Sequence, residues 1–167
     1  LRTLARILKV LNSEAHPAQI AGAVALAAIM GLTPLWSLHN LLILLLVLVL
    51  RVNLSTFLVA FALFTGFAYL LDPAFHQLGL ALLTTEALQG LWTALYASVV
   101  GRLSGFNNTV VMGSLVASVV IAAALYPLVV AAVRRYRTTV QAWVARSRVM
   151  TFLKASKFYR IYTEIRG

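Results

Sequence analysis

The chain has 167 residues, of which 62% are hydrophobic and only 11% charged, and it carries a net charge of +10 with no cysteine. A soluble domain has about 25% charged residues, so the composition excludes a water-soluble fold. The missing thiols exclude disulfides, a cysteine nucleophile and thiolate metal sites.

The charge is unevenly placed. Residues 1–14 carry +2, residues 15–133 are neutral overall, and residues 134–167 carry +8. A neutral centre fits the cost of placing ions in a bilayer. Basic ends predict that both termini face the cytoplasm, by the positive-inside rule. These features predict an all-α integral membrane protein of the bacterial inner membrane. It would be multi-pass, with a membrane domain at 15–133 and helices near 18–32, 35–50, 54–71, 85–101 and 109–133.

Residues 1–14 read as an amphipathic interfacial helix. At 100° per residue Arg2, Arg6 and Lys9 share one narrow face, and Leu1, Leu4, Ile7, Leu8 and Leu11 cover the other. Packing of this helix against the tail is the alternative. Charges run through Leu1 to Asn12, so no cleavable signal peptide is expected. Pro17 suits the first turn of the next helix.

Ala18–Leu32 and Leu35–Leu50 are apolar runs of 15 and 16 residues around a Thr-Pro break. Each is about 22–24 Å as helix, short of the ~30 Å hydrocarbon core. Two outcomes follow: a hairpin that just spans, or a re-entrant hairpin that enters and leaves on one side. Ala18, Gly22 and Ala25 form a small-residue face suited to close helix packing.

The run Leu54–Leu71 predicts a third helix, stopped by Asp72-Pro73, with a short helix through Leu83 after it. Thr84-Thr85-Glu86 resembles an N-cap followed by an acid in the first turn. A fourth helix reaches about Gly101. Thr109–Val133 is the longest apolar run, with Ser114, Ser118 and Ala122 as a second small-residue face and Pro127 as a kink site.

Residues 134–167 form a basic aromatic cytoplasmic tail. Arg134, Arg135, Arg137, Arg146, Arg148, Lys154 and Lys157 are interspersed with Tyr136, Trp143, Phe152, Phe158 and others, predicting short interfacial helices on anionic lipid. Beside a membrane segment, lipid is the expected partner, and nucleic acid is not.

Five crossings would separate the two basic ends, so one segment is expected not to cross. Leu54–Leu83 is the preferred candidate, entering and returning at Pro73, with Arg51 cytoplasmic and Arg102 outside. Five full crossings with an external tail are the alternative.

Polar groups inside an apolar region are candidate functional groups. Thr33, Ser37, His39 and Asn40 cluster at the hairpin tip around the turn residues Gly31 and Pro34. They suit either a site for a headgroup, solute or ion, or hydrogen bonds that fix helix packing. Arg51 could hold a lipid phosphate or snorkel, and Asn53 suits a helix cap. Asp72 and Glu86 read as terminal caps, with proton transfer as the alternative. His16, His39 and His76 lack metal-ligand spacing, and no nucleophile, phosphate-loop or zinc motif is present. No enzyme activity, metal or cofactor is expected.

The spacing A-x-x-x-A-x-x-M-G31-x-x-P34-x-x-x-x-H39-N40, then R51-x-N53, then F-H-Q-L-G79, resembles the domain of unknown function 2062 family of small prokaryotic integral membrane proteins. The likeness covers roughly residues 15–100, with Gly31, Pro34, His39, Arg51 and Asn53 as signature positions. The chain departs from it at Trp36-Ser37 and at Thr65-Gly66 and Asp72-Pro73, where relatives often show Asn-Pro. The resemblance brings no established activity. It implies an envelope-associated membrane component, in this branch a companion of a larger envelope protein of the bridge-like lipid-transfer type. The resulting expectation is a non-catalytic inner-membrane subunit that anchors this partner and presents phospholipid to it. A small-solute or ion transporter using the polar hairpin site is the alternative, although no inverted repeat is evident.

Overall fold

The computed structural model describes residues 16–140, and all the regular structure among them is helical. The expected helix at 1–14 lies outside the described residues, as do Arg146, Arg148, Lys154 and Lys157.

Helix α1 is Pro17–Leu32. Pro17 occupies its first turn, where the missing N–H costs nothing. His16 caps it: Nδ1 accepts from the Ala18 N–H at 3.3 Å, and the His16 N–H donates to Gln19 Oε1 at 3.1 Å. The helix stops at Leu32 because Thr33 is extended (φ −100°, ψ 156°), the conformation that a following proline imposes. Helix α2 is Leu38–Val49, only 12 residues and about 18 Å. It is shorter than the expected 35–50 because Pro34–Ser37 are taken up by the turn.

Helix α3, Leu54–Thr84, is the spine of the fold at 31 residues and about 46 Å. Asn53 caps it, accepting from the Thr56 N–H at 2.9 Å. The Asn53 N–H donates to the Gln19 carbonyl at 3.3 Å. That bond ties the start of α3 to the start of α1, so the two run parallel with α2 returning between their ends. Ala21, Ala23, Ala27 and Ala28 of α1 are fully buried, and Ala23, Ala27, Met30, Ile43, Val47, Phe57 and Ala60 form a core shared by α1, α2 and α3. The small face actually buried on α1 is therefore this alanine set, whereas Ala18, Gly22 and Ala25 are half-buried.

Two expectations about α3 are corrected. It does not stop at Asp72-Pro73, and Leu54–Leu83 does not turn back, because Pro73 sits inside one continuous helix. An interior proline removes one hydrogen bond and costs about 3 kcal/mol. Packing beyond it offsets that loss: Phe75 is buried, and His76 Nδ1 lies 2.7 Å from Thr109 Oγ1. Nor do Thr84 and Thr85 cap a following helix. Their hydroxyls turn back to the Leu80 and Ala81 carbonyls at 2.8 and 2.7 Å, closing α3 instead.

The expected single helix at 85–101 is broken. A 3-10 turn at Glu86–Leu88 leads into α4, Gln89–Ala97, and α5, Val99–Ser104. The break is Ser98, extended at φ −83° and ψ 148°, whose Oγ accepts from the Gly101 N–H at 2.9 Å. Gly105, at φ +66°, ends α5. Helix α6 is Thr109–Arg135 and contains Pro127. Asn108 caps it through Val110 and Val111. The chain divides into two units after Val130; the described part of the second is the end of α6 and a π-helical turn, Tyr136–Val140.

Against α3, α6 runs antiparallel. A Cβ on Gly79 would strike the Thr109 carbonyl and lie 2.9 Å from the Gly113 nitrogen, and one on Gly113 would strike the Phe75 carbonyl. Ser114, Ser118 and Ala122 are buried, so the small face expected on this helix is consumed within the chain.

Both α3 and α6 are long and apolar enough to cross a bilayer, yet only 11% of the most apolar stretch of each is buried in the chain. Leu63, Phe67, Leu70, Val119, Val120 and Leu128 are exposed instead. A core helix of a soluble protein would bury such side chains.

Candidate functional site

The polar residues expected at the hairpin tip are brought together by the turn between α1 and α2. Thr33 and Asn40 are 5% and 2% exposed, and burial on this scale requires hydrogen-bond partners. The Thr33 hydroxyl lies 2.9 Å from the Ile29 carbonyl and 3.1 Å from Asn40 Oδ1, and its one proton is shared between them. Asn40 Nδ2 donates to the Pro34 and Leu35 carbonyls at 3.0 and 3.3 Å. Ser37 Oγ donates to the Pro34 carbonyl. Pro34 bends the chain so that the carbonyls of the turn itself point at Asn40, and one amide then bonds both while accepting from Thr33. The turn is thus self-sufficient in hydrogen bonds.

His39 is the exception. Its Nε2 is buried without a hydrogen-bond partner among the described residues. At the apex, Trp36 is 99% exposed.

Gly31 sets the height of this cluster. A Cβ there would lie 2.7 Å from Phe64 Cβ, 3.0 Å from the Phe61 carbonyl and 3.2 Å from the Thr65 nitrogen. The backbone of α1 therefore rests on α3 near Thr65, about 16 Å along that helix from Leu54.

Arg51 and Asn53 do not join the cluster. They lie at the other end of α2, a helix of about 18 Å. Arg51 has φ +50° and is exposed. Its left-handed conformation reverses the chain into α3, and the Asn53 side chain is spent on the cap. Arg134 and Arg135 are exposed in the last turn of α6, and Arg137 lies in the π turn. No group of His, Asp and Glu suited to a metal occurs among the described residues. Asp72 is interior to α3 rather than at its end, which removes the capping explanation for it.

Sequence reasoning missed the junction between α3 and α6, although Phe75, His76 and Gly79 had been singled out as a motif. It also missed a cavity of about 370 Å³ beside α4. The spacing of Trp92 and Tyr96, one helical turn apart, was the available signal.

A family model described as "Uncharacterized protein conserved in bacteria (DUF2062)" matches residues 1–141. An "Uncharacterized protein" of Treponema pallidum (strain Nichols) is 33% identical over 138 residues, covering 83% of this chain and 85% of the relative. No solved structure matches.

Proposed function

The chain belongs to the uncharacterized bacterial family DUF2062, and from that premise we propose that it is a non-catalytic inner-membrane subunit that anchors a larger envelope protein and presents phospholipid to it. One observation carries this reading: a hairpin of two helices each shorter than the hydrocarbon core, with Gly31, just before its turn, resting on the first long helix about 16 Å from its start. If Leu54 marks the edge of a ~30 Å hydrocarbon core, the hairpin turns back inside the bilayer.

In this arrangement α3 and α6 cross, and α1–α2 is re-entrant from the cytoplasmic side. Two crossings return the chain to its starting side, so both basic ends are cytoplasmic as the positive-inside rule requires. Arg51 is then cytoplasmic, and Arg102 lies outside.

A hairpin that turns back inside the bilayer wedges into the leaflet it enters. Leu41, Leu45 and Leu48 of α2 are exposed and displace acyl chains there, while Arg51 and the basic tail draw anionic headgroups at about 1 kcal/mol per basic residue. Lipid gathered beside such a wedge is lipid available to a partner. Purification in mild detergent tests the reading. A larger envelope protein and anionic phospholipid co-purify if it holds; a chain isolated as a stable lone monomer without bound lipid contradicts it.

A carrier of small solutes or ions is the second reading, favoured by the unpartnered His39 Nε2 beside the broken hairpin. Flux in proteoliposomes that disappears with His39→Ala supports it, and flux that survives removes the site.

A further inference from the structure

At the end of α3 remote from the hairpin entrance, α4 and the loop after α5 flank an open cavity of about 370 Å³, the lower end of the range for small-molecule sites. Its walls are aromatic. The rings of Trp92 and Phe106 have centroids 5.8 Å apart at 33°, and those of Tyr96 and Phe106 lie 6.4 Å apart, edge to face. The platform is fixed from behind. Trp92 Nε1 donates to the Leu82 carbonyl at 3.1 Å, Phe106 is buried, and Arg102 Nη1 pins the Tyr96 and Ala97 carbonyls at 3.0 Å each.

The polar lining is neutral. Gln89 is oriented by its own Nε2, which donates to the Leu83 carbonyl at 2.8 Å, leaving Oε1 as a free acceptor. The Asn107 side chain makes no hydrogen bond among the described residues, so both its donor and its acceptor are available. No charged side chain lines the cavity.

We propose that this cavity is a binding site for a neutral saccharide, either free or as the headgroup of a glycolipid. A sugar ring has an apolar C–H face that lies on aromatic rings and hydroxyls that both donate and accept, as carboxamides do. A phosphate would demand a cation in the lining, and an acyl chain would offer the Asn107 amide no hydrogen-bond partner. The proposal goes beyond the function above and does not depend on the path of the hairpin.

The test uses the full chain in phosphatidylglycerol nanodiscs, with methyl β-glucoside as the probe and saturation-transfer NMR as the readout. Saturation transfer to the sugar is expected, falling about tenfold in Trp92→Ala, as loss of an aromatic face implies, and falling likewise in Asn107→Ala, a loop substitution that leaves the ring packing in place. Nanodiscs containing monoglucosyl diacylglycerol then separate the sources. A signal displaced by that lipid assigns the headgroup, and one that persists assigns the free sugar. Absence of transfer in the wild type, or a signal that survives either substitution, overturns the proposal.

Discussion

Gly79 and Gly113 stand against each other across the α3–α6 junction so closely that neither tolerates a methyl group. A Cβ on Gly79 would lie 2.9 Å from the Gly113 nitrogen, and one on Gly113 would lie 2.8 Å from the Gly79 nitrogen. The clash is with backbone, which cannot rotate aside, so the helices must separate. Gly79→Ala and Gly113→Ala are each expected to destabilise the fold by about 1–3 kcal/mol. Gly66, with nothing within 4 Å of its Cβ position, is the control: Gly66→Ala gains up to about 1 kcal/mol from helix propensity. Unfolding in detergent measures all three.

The Thr33–Asn40 bond makes a second prediction. Asn40→Leu keeps the volume of the side chain but removes the donor of the Leu35 carbonyl and one of the two donors of the Pro34 carbonyl, which keeps Ser37 Oγ. Losing these part-buried hydrogen bonds costs about 1 kcal/mol or more. Thr33→Val removes one donor and is expected to cost about 1 kcal/mol. The double variant should lose less than the sum, because the Asn40 oxygen that Thr33 served is already gone. A double-mutant cycle on the same unfolding assay reads this coupling.

Arg51 separates stability from lipid binding. Its φ of +50° is disfavoured for a side chain by about 1–2 kcal/mol and is free for glycine. Arg51→Gly is therefore expected to be at least as stable as the wild type. If its guanidinium meets lipid phosphate, the same variant retains less anionic phospholipid on purification, which lipid extraction and mass spectrometry quantify.

Local rules made much of the fold legible. Pro17 placed the start of α1, Thr33-Pro34 its end, and Asn53 the start of α3. The long run after Asn108 gave α6. What escaped was decided by distant contacts. Pro73 reads as a helix stop in isolation, yet the helix continues because Phe75 and His76 beyond it are held against α6. The threonines at 84 and 85 fit a forward cap and a backward closure equally well in sequence. The candidate site was partly legible: Thr33, Ser37 and Asn40 do meet, through a turn that Pro34 announces, while His39 stays outside their hydrogen bonds. Arg51 lies at the opposite end of α2, as the length of that helix requires. The aromatic cavity beside α4 was hidden because Phe106 approaches Trp92 only after Ser98 and Gly105 redirect the chain.

The central claim is that α1–α2 enters and leaves the membrane on one face while α3 crosses it. Since the chain has no cysteine, single-cysteine variants report without background, and membrane-impermeant maleimide labelling of intact and permeabilised cells is the direct measurement. His16→Cys is expected to label only after permeabilisation, Glu86→Cys in intact cells, and Trp36→Cys, at the tip within the bilayer, in neither. Labelling of Trp36→Cys in intact cells, or of His16→Cys and Glu86→Cys from the same side, would contradict the account.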